Sequence, residues 1–454
     1  MRRSICLALG LTLGCAAAAD ADAWQTLSYP YENRVFDLAI EGSTIWLATH
    51  GDGLVGYDGT TWVAHRSVDE GIRQDDWNYT LFVDAASDKW IGRDGDQTVD
   101  RLDDAGTFEN KSDDTWTYYS HPTELEHFRV FSMAEDGSGN KWFGMRDENH
   151  YIPGTVEFLL ENDPDTQSDD DWFHFDNAWT PDSTSFSDDD VRAVAVDGEG
   201  RLWIGYYATG VDVWDHGDVL VHADTTWAYA DDDWRHYDVG SGLPSNLVHT
   251  IHAGPDGRVW VGTLGGLAVY DPASDSWSTI TGLPGSQARA IDTDAQGHVW
   301  VGTDDGVAML YASGAVALTF GVEDGIANEL IDALAVDRQD GRVWALSTDQ
   351  ATQETALSYY DSGFGPQSGL MYVYPNPWNA SETSQALSIF GVPEGSKVEV
   401  FDIAGERVRE LGRTEPYTWD TLDADSLEVP SGVYILRVET PAGDLVFVKA
   451  AVLR

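Results

Sequence analysis

The stretch "GRVWVGTLGGLAVYD", residues 257–271, is the one whose reading decides the fold. An apolar run ends in Trp260-x-Gly262, Gly265 and Gly266 follow, and a second apolar run closes on Tyr270 and Asp271. This is the text of two short strands joined by a tight turn, because glycine supplies the positive φ that such hairpins need. It recurs as "GHVWVGTDDGVAMLY" around Trp300, "GRLWIGYYATGVDVWD" around Trp203 and "STIWLATHGDGLVGYD" around Trp46. Trp90, Trp142 and Trp344 hold the same place in looser copies, and the seven tryptophans lie 44, 52, 61, 57, 40 and 44 residues apart. A strand-rich unit repeating at about 40–50 residues is the signature of a β-propeller blade. Seven anchors predict seven blades, with the tryptophans as packing between them.

Each repeat divides into four strands. The innermost is apolar, as in "VRAVAVD" (191–197) and "IDALAVD" (331–337), and an Asp/Gly turn leads from it to the tryptophan strand. The outermost opens on an aromatic: Trp62, Trp116, Trp172, Trp234 and Trp277, with "ALTF" (317–320) in that place in the sixth blade. The seventh blade stops one strand short after "ALSYYD" (356–361), while "WQTLSY" (24–29) has the outer-strand pattern and precedes the first inner strand. Residues 24–29 are therefore expected to pair into the seventh blade and close the ring, which removes an exposed sheet edge.

The repeats resemble the two-component regulator propeller family; "SGLPSNLVHTIHAGPDGRVWVGTLGGLAVYD" (241–271) matches its blade pattern nearly throughout. The resemblance covers 24 to about 361; members often form extracytoplasmic sensors of hybrid histidine kinases that detect glycans, but no transmembrane helix or kinase pattern is seen here, so what the resemblance implies stops at the propeller. From residue 372 the text changes to "YVYPNPWNAS", "VEVFDIAGERVREL", "PSGVYILRV" and a terminal "VKAAVLR". Short strands with frequent turns predict a small immunoglobulin-like β-sandwich. These pieces resemble type IX secretion sorting domains and flagellar-hook-capping domains, which implies the outer-membrane secretion machinery as a partner and delivery to the cell surface. The alternative is a passive spacer. The expected layout is all-β: a propeller over 20–362, a linker over 363–371 and the sandwich over 372–454.

Residues 1–19 carry Arg2 and Arg3, an apolar run and then small residues, which reads as a secretory signal peptide cleaved after Ala19. The apolar run is too short to span a membrane. A lipoprotein signal acylated on Cys15 is the rival reading. Both cysteines fall in this segment, so no disulfide is expected in the mature chain, and thiol chemistry is excluded. With 78 acidic and 26 basic residues the net charge is −52, which repels nucleic acid and anionic membranes. The acid excess fits solubility in a saline habitat. Calcium held by Asp-rich segments such as 162–172 and 230–234 is the alternative, and no other cofactor is expected.

No G-x-S-x-G or H-E-x-x-H motif occurs, and Gly51-x-Gly53-x-x-Gly56 lies inside a hairpin without the helix a dinucleotide needs. Propeller ligands gather where the loops after the second strands ring the channel mouth. There blades five and six keep Thr263 and Thr303, while Arg93, Arg146, Tyr206 and Tyr207 stand at or just after that position in blades two to four and, with His50 from blade one, are expected to line one rim. Arginine forks suit carboxylates and tyrosine rings suit sugar faces. These five are the expected ligand-binding residues, although Asp94 and Asp147 beside the arginines offer simple neutralisation instead. The expected function is a monomeric, non-catalytic surface propeller that binds an extracellular glycan or a partner protein. A polysaccharide lyase or glycoside hydrolase, and an adhesive protein without a small ligand, are the alternatives.

Overall fold

The computed structural model describes residues 23–31, 33–66, 77–93, 98–120, 128–147, 155–160, 171–175, 187, 190–215, 233–362, 371–374, 378–379, 386–390, 392, 395–411, 417–424, 426–441 and 445–454. Seven four-stranded antiparallel sheets build the propeller. The first comprises Val35–Glu41, Thr44–Thr49, Leu54–Tyr57 and Trp62–His65. The innermost strands of the next six are Asn78–Val83, Phe128–Glu135, Val191–Val196, Val248–Ala253, Ala288–Thr293 and Leu330–Val336.

The ring closes through the N-terminal segment, as its pattern predicts. Gln25 pairs with Tyr359 and Thr26 with Ser358, so the seventh sheet gains its fourth strand from the start of the chain. The regular strand is only Gln25–Thr26, shorter than the expected 24–29. Trp24 secures it: its N–H donates to the Asp324 carbonyl at 2.8 Å, and its ring stacks on Tyr360 with centroids 5.7 Å apart.

Seven hydrophobic clusters fill the seven interfaces between blades, and each contains one repeat tryptophan. The indole N–H groups of Trp46, Trp90, Trp203 and Trp300 reach Glu41, Asp84, Asp197 and Asp294 on the same sheet, at 2.8–3.2 Å. A buried ring that satisfies its one donor packs without a desolvation penalty. The glycine two residues after the tryptophan then admits the next blade. A Cβ at Gly205 would stand 2.6 Å from Val248, at Gly302 2.6 Å from Ile331, and at Gly262 2.6 Å from the Ala288 carbonyl oxygen. In blades two to six the inner strand of the following blade is seated against that glycine, and Ala48 and Leu346 hold its place in blades one and seven.

Beyond the propeller, Tyr372–Tyr374, Leu387–Phe390 and Thr418–Trp419 form one sheet. Trp378–Asn379, Leu445–Leu453, Gly432–Glu439, Lys397–Asp402 and Arg407–Glu410 form another. One apolar core joins the two around Trp419, Leu436, Val398 and Val400. The expected signal peptide with Cys15, and most of both Asp-rich segments (162–170 and 230–232), lie outside the described residues.

Candidate binding site

Every innermost strand carries the same irregularity. In the first blade Val35 pairs with Thr49 and Asp37 with Ala48, which leaves Phe36 as an extra residue. The same break makes Tyr79, Phe131, Arg192, His249, Arg289 and Asp332 the extra residues of blades two to seven. A bulge of this kind re-aims the side chain it carries. All seven line one cavity of about 640 Å³ bounded by the inner strands of every blade. The mouth of the central channel is thus a seven-membered ring, aromatic over blades one to three and polar over blades four to seven.

The aromatic arc is braced by guanidinium groups. Phe36 and Tyr79 meet at 4.6 Å between centroids, and Arg34 lies 4.8 Å over Phe36. Arg129 lies 3.9 Å over Tyr79, and Arg192 lies 4.9 Å over Phe131 and 4.6 Å over Tyr207. Cation and ring alternate around half of the mouth, each fixing its neighbour.

In the polar arc, Arg289 Nη2 donates to Asp332 Oδ1 at 2.8 Å, and Thr348 Oγ1 donates to Asp332 Oδ2 at 2.5 Å. Burial, with Arg289 and Arg192 on either side, pushes the His249 imidazole down to about 4. It is neutral at pH 7, and its buried Nε2 has no hydrogen-bond partner.

The five residues expected from the sequence divide. Arg93 and Tyr206 do not line the rim, a correction with a clear cause. The third residue after each repeat tryptophan turns inward between sheets in every blade: Thr49, Arg93, Met145, Tyr206, Thr263, Thr303 and Ser347 are all buried. Arg93, 4 % exposed, donates to Asn78 Oδ1 at 3.0 Å and pairs with Asp100 at 3.3 Å; Tyr206, fully buried, donates to Asp212 at 2.9 Å. Neutralisation of Arg93 by an aspartate is the simpler reading and Asp100 supplies it, while Asp94 lies outside the described residues.

His50 and Tyr207 fall one residue further on and do reach the mouth. His50 stacks on Trp77 at 4.6 Å and stands 5.9 Å from Phe36, while Tyr207, 40 % exposed, carries Arg192. Arg146 pairs through its backbone with Arg129, and its side chain lies outside the described residues. The ring itself was missed, although a signal existed. Counted from the paired residue before each bulge, the second position reads Phe, Tyr, Phe, Arg, His, Arg, Asp, whereas the fourth is apolar in all seven.

One other polar cluster, Ser187 with Asp212 and His236, lacks triad geometry. Ser187 Oγ lies 2.7 Å from Asp212 Oδ1 and 2.8 Å from His236 Nδ1. Asp212 holds that same Nδ1 at 2.6 Å, so serine and carboxylate share one nitrogen, unlike a nucleophile triad. Among the described residues no group of three or more His, Cys, Asp and Glu is placed to hold a metal ion. No helix among them is long and apolar enough to cross a membrane.

Residues 185–208, 242–265 and 282–305 match the family model described as two component regulator propeller. The three matched stretches are similar to regulator-propeller repeats. They lie in the fourth, fifth and sixth blades, whose bulges carry Arg192, His249 and Arg289. No curated protein matches the chain in sequence. Among solved structures, PorZ of Porphyromonas gingivalis, described as a surface component of the type IX secretion system, is similar at 18 % identity and a TM-score of 0.62. That match covers 94 % of this chain and 61 % of PorZ, so the chain spans less than two thirds of its length. A virginiamycin B lyase of Staphylococcus aureus with quinupristin is similar at 10 % identity and a TM-score of 0.53, covering 74 % of this chain and 98 % of the lyase. The WD40 propeller of Doa1 is similar at 12 % identity and a TM-score of 0.50, covering 74 % and 96 %. A surface component, an enzyme and a WD40 domain share this geometry, so the likeness speaks for the fold alone.

Proposed function

We propose that the chain is an exported, surface-associated, non-catalytic propeller that holds an extracellular ligand, a glycan above all, at the mouth of its channel. The observation that carries this reading is the ring of seven bulged residues around a cavity of about 640 Å³, with stacking surfaces on one side and hydrogen-bonding groups on the other. Concave sites with an apolar wall and a few convergent polar groups are where small ligands bind. Trp77 and Tyr207, 43 % and 40 % exposed, and half-exposed Leu264 extend the apolar surface outward. The signal-like residues 1–19 support export. The sandwich, proposed as an immunoglobulin-like sorting module over 372–454, supports delivery to the surface by the outer-membrane secretion machinery.

A second reading rests on His249. A neutral imidazole with a bare nitrogen beside two arginines is what a lyase would use to remove a proton next to a carboxylate. A thermal-shift screen of the exported chain against neutral and acidic oligosaccharides, with product analysis of each mixture, separates the readings. A stabilising saccharide returned unchanged, whose shift disappears in Tyr79→Ala, supports the binding module. Cleavage of the saccharide replaces it with the enzyme. A flat panel removes the glycan.

A further inference from the structure

The aromatic half of the mouth is one continuous surface. At one end His50 forms a β-bridge with Trp77 and stacks on it at 4.6 Å, and His50 in turn stands 5.9 Å from Phe36. Phe36 meets Tyr79 at 4.6 Å, and Arg129 lies 3.9 Å over Tyr79 and 5.7 Å from the Phe131 ring centre. Arg192 then spans from Phe131 at 4.9 Å to Tyr207 at 4.6 Å. Rings and cations follow one another without a break from blade one to blade four, nearly half-way round the channel. The two ends are the most exposed members: Trp77 keeps 43 % and Tyr207 40 % of its surface in solvent, while Phe36, Tyr79 and Phe131 are half-buried.

The cations of the mouth are committed inside the protein. Arg289 pairs with Asp332 at 2.8 Å, and Arg192 lies 3.9 Å from Asp190 and against two rings. Arg34 and Arg129 cover Phe36 and Tyr79. An anionic group on a ligand would have to break into one of these arrangements, in a chain whose net charge of −52 already repels it. A hydroxyl asks for less, since a guanidinium held by one carboxylate keeps further N–H donors for a neutral acceptor.

We infer that this run of side chains is a track for a linear, uncharged glycan, held along its length with one sugar unit against Trp77 and another against Tyr207. The inference rests on the mouth being the glycan site and names the class of glycan it takes. Pyranoses with equatorial hydroxyls turn axial C–H groups outward on both faces, and such a face packs on an aromatic ring as other apolar surfaces do. Two platforms filled by one molecule act together, because once one unit is bound the next meets its ring at a high effective concentration. The track therefore reads chain length rather than charge.

The test is calorimetry of the full chain with β-1,3-glucan, β-1,4-glucan and β-1,4-xylan oligosaccharides, from disaccharide to hexasaccharide, and with oligogalacturonate as the charged counterpart. The account expects a neutral hexasaccharide to bind one per chain, about tenfold or more tighter than its disaccharide. That affinity stays within about twofold between roughly 50 and 500 mM NaCl, since no ion pair is made. Trp77→Ala and Tyr207→Ala each weaken the hexasaccharide about tenfold, to the disaccharide level, whereas Trp77→Phe and Tyr207→Phe keep most of the affinity. Both residues are exposed, so these variants melt close to the parent and a loss of binding is a loss of contact. Equal affinity for disaccharide and hexasaccharide, two hexasaccharides per chain, no binding of any neutral hexasaccharide, or tighter binding of oligogalacturonate than of every neutral chain overturns the track. The track and the mouth fail separately. A disaccharide that binds as well as the hexasaccharide and is lost in Tyr79→Ala leaves the mouth as the glycan site without a track. A hexasaccharide whose binding survives Trp77→Ala, Tyr207→Ala and Tyr79→Ala removes the mouth itself, and the track with it.

Discussion

Two neighbouring positions in each blade make opposite use of the same backbone. The third residue after the repeat tryptophan sits opposite the residue that precedes the bulge, and all seven of its occupants are buried. The bulged residue lies one step further along the adjacent strand, and all seven of its occupants line the channel. The first position builds the ring. Its threonines tie the turn, with Thr263 and Thr303 donating to Gly266 and Gly306 at 2.9 and 2.8 Å. The second is positioned by backbone geometry, so its side chain is free to vary from Phe to Arg to Asp without altering the fold. Variation at the first position therefore reports on packing and variation at the second on the chemistry of the channel mouth.

Substitutions at the two positions should part company in stability. The largest loss is expected for Arg93→Ala, which leaves buried Asp100 without this ion pair and should cost about 3–5 kcal/mol in chemical denaturation. Gly262→Ala, which drives a Cβ against the Ala288 carbonyl, should follow at about 1–3 kcal/mol. Thr263→Val removes the bond to Gly266 and should cost about 1 kcal/mol. Tyr207→Ala, at the exposed mouth, should stay within about 0.5 kcal/mol while weakening any saccharide that stacks there. A large stability loss in Tyr207→Ala, or none in Arg93→Ala, breaks the comparison.

The mouth also carries a pH signature. The His249 imidazole is lower in the folded chain than in the unfolded one, so the unfolded state binds more protons between about 6.5 and 4. Its contribution to stability is present above the unfolded value and is lost as pH falls through that window. Asp37, whose carboxyl burial raises to about 6, runs the other way and loses stability as pH rises from about 4 to 6. Denaturation of His249→Gln at a series of pH values should show a smaller loss on acidification than the parent; an unchanged slope removes this role.

Architecture was legible because it is written in repetition. Seven tryptophans at blade spacing, the glycine that admits the next strand, and a seventh blade one strand short all follow from local sterics. The N-terminal closure could be read from the strand missing after 356–361 and the outer-strand pattern of 24–29. The site was harder, because a bulge is a register event between two strands and leaves no fixed residue type. Strict alternation gives no warning that one residue will be expelled toward the channel. Arg93 and Tyr206 misled for the same reason: polar residues at a turn suggest solvent, yet the turn folds them inward onto Asn78 and Asp212. His50 and Tyr207, one step later, were recoverable.

The most direct test is a crystal structure of the full chain grown with an oligosaccharide that stabilises it. The account predicts the sugar at the channel mouth, one ring against Phe36, Tyr79 or Phe131 and an oxygen within about 3 Å of the Arg192 or Arg289 guanidinium. A saccharide ordered on the outer strands or on the C-terminal sandwich, with the mouth left to water, would contradict it.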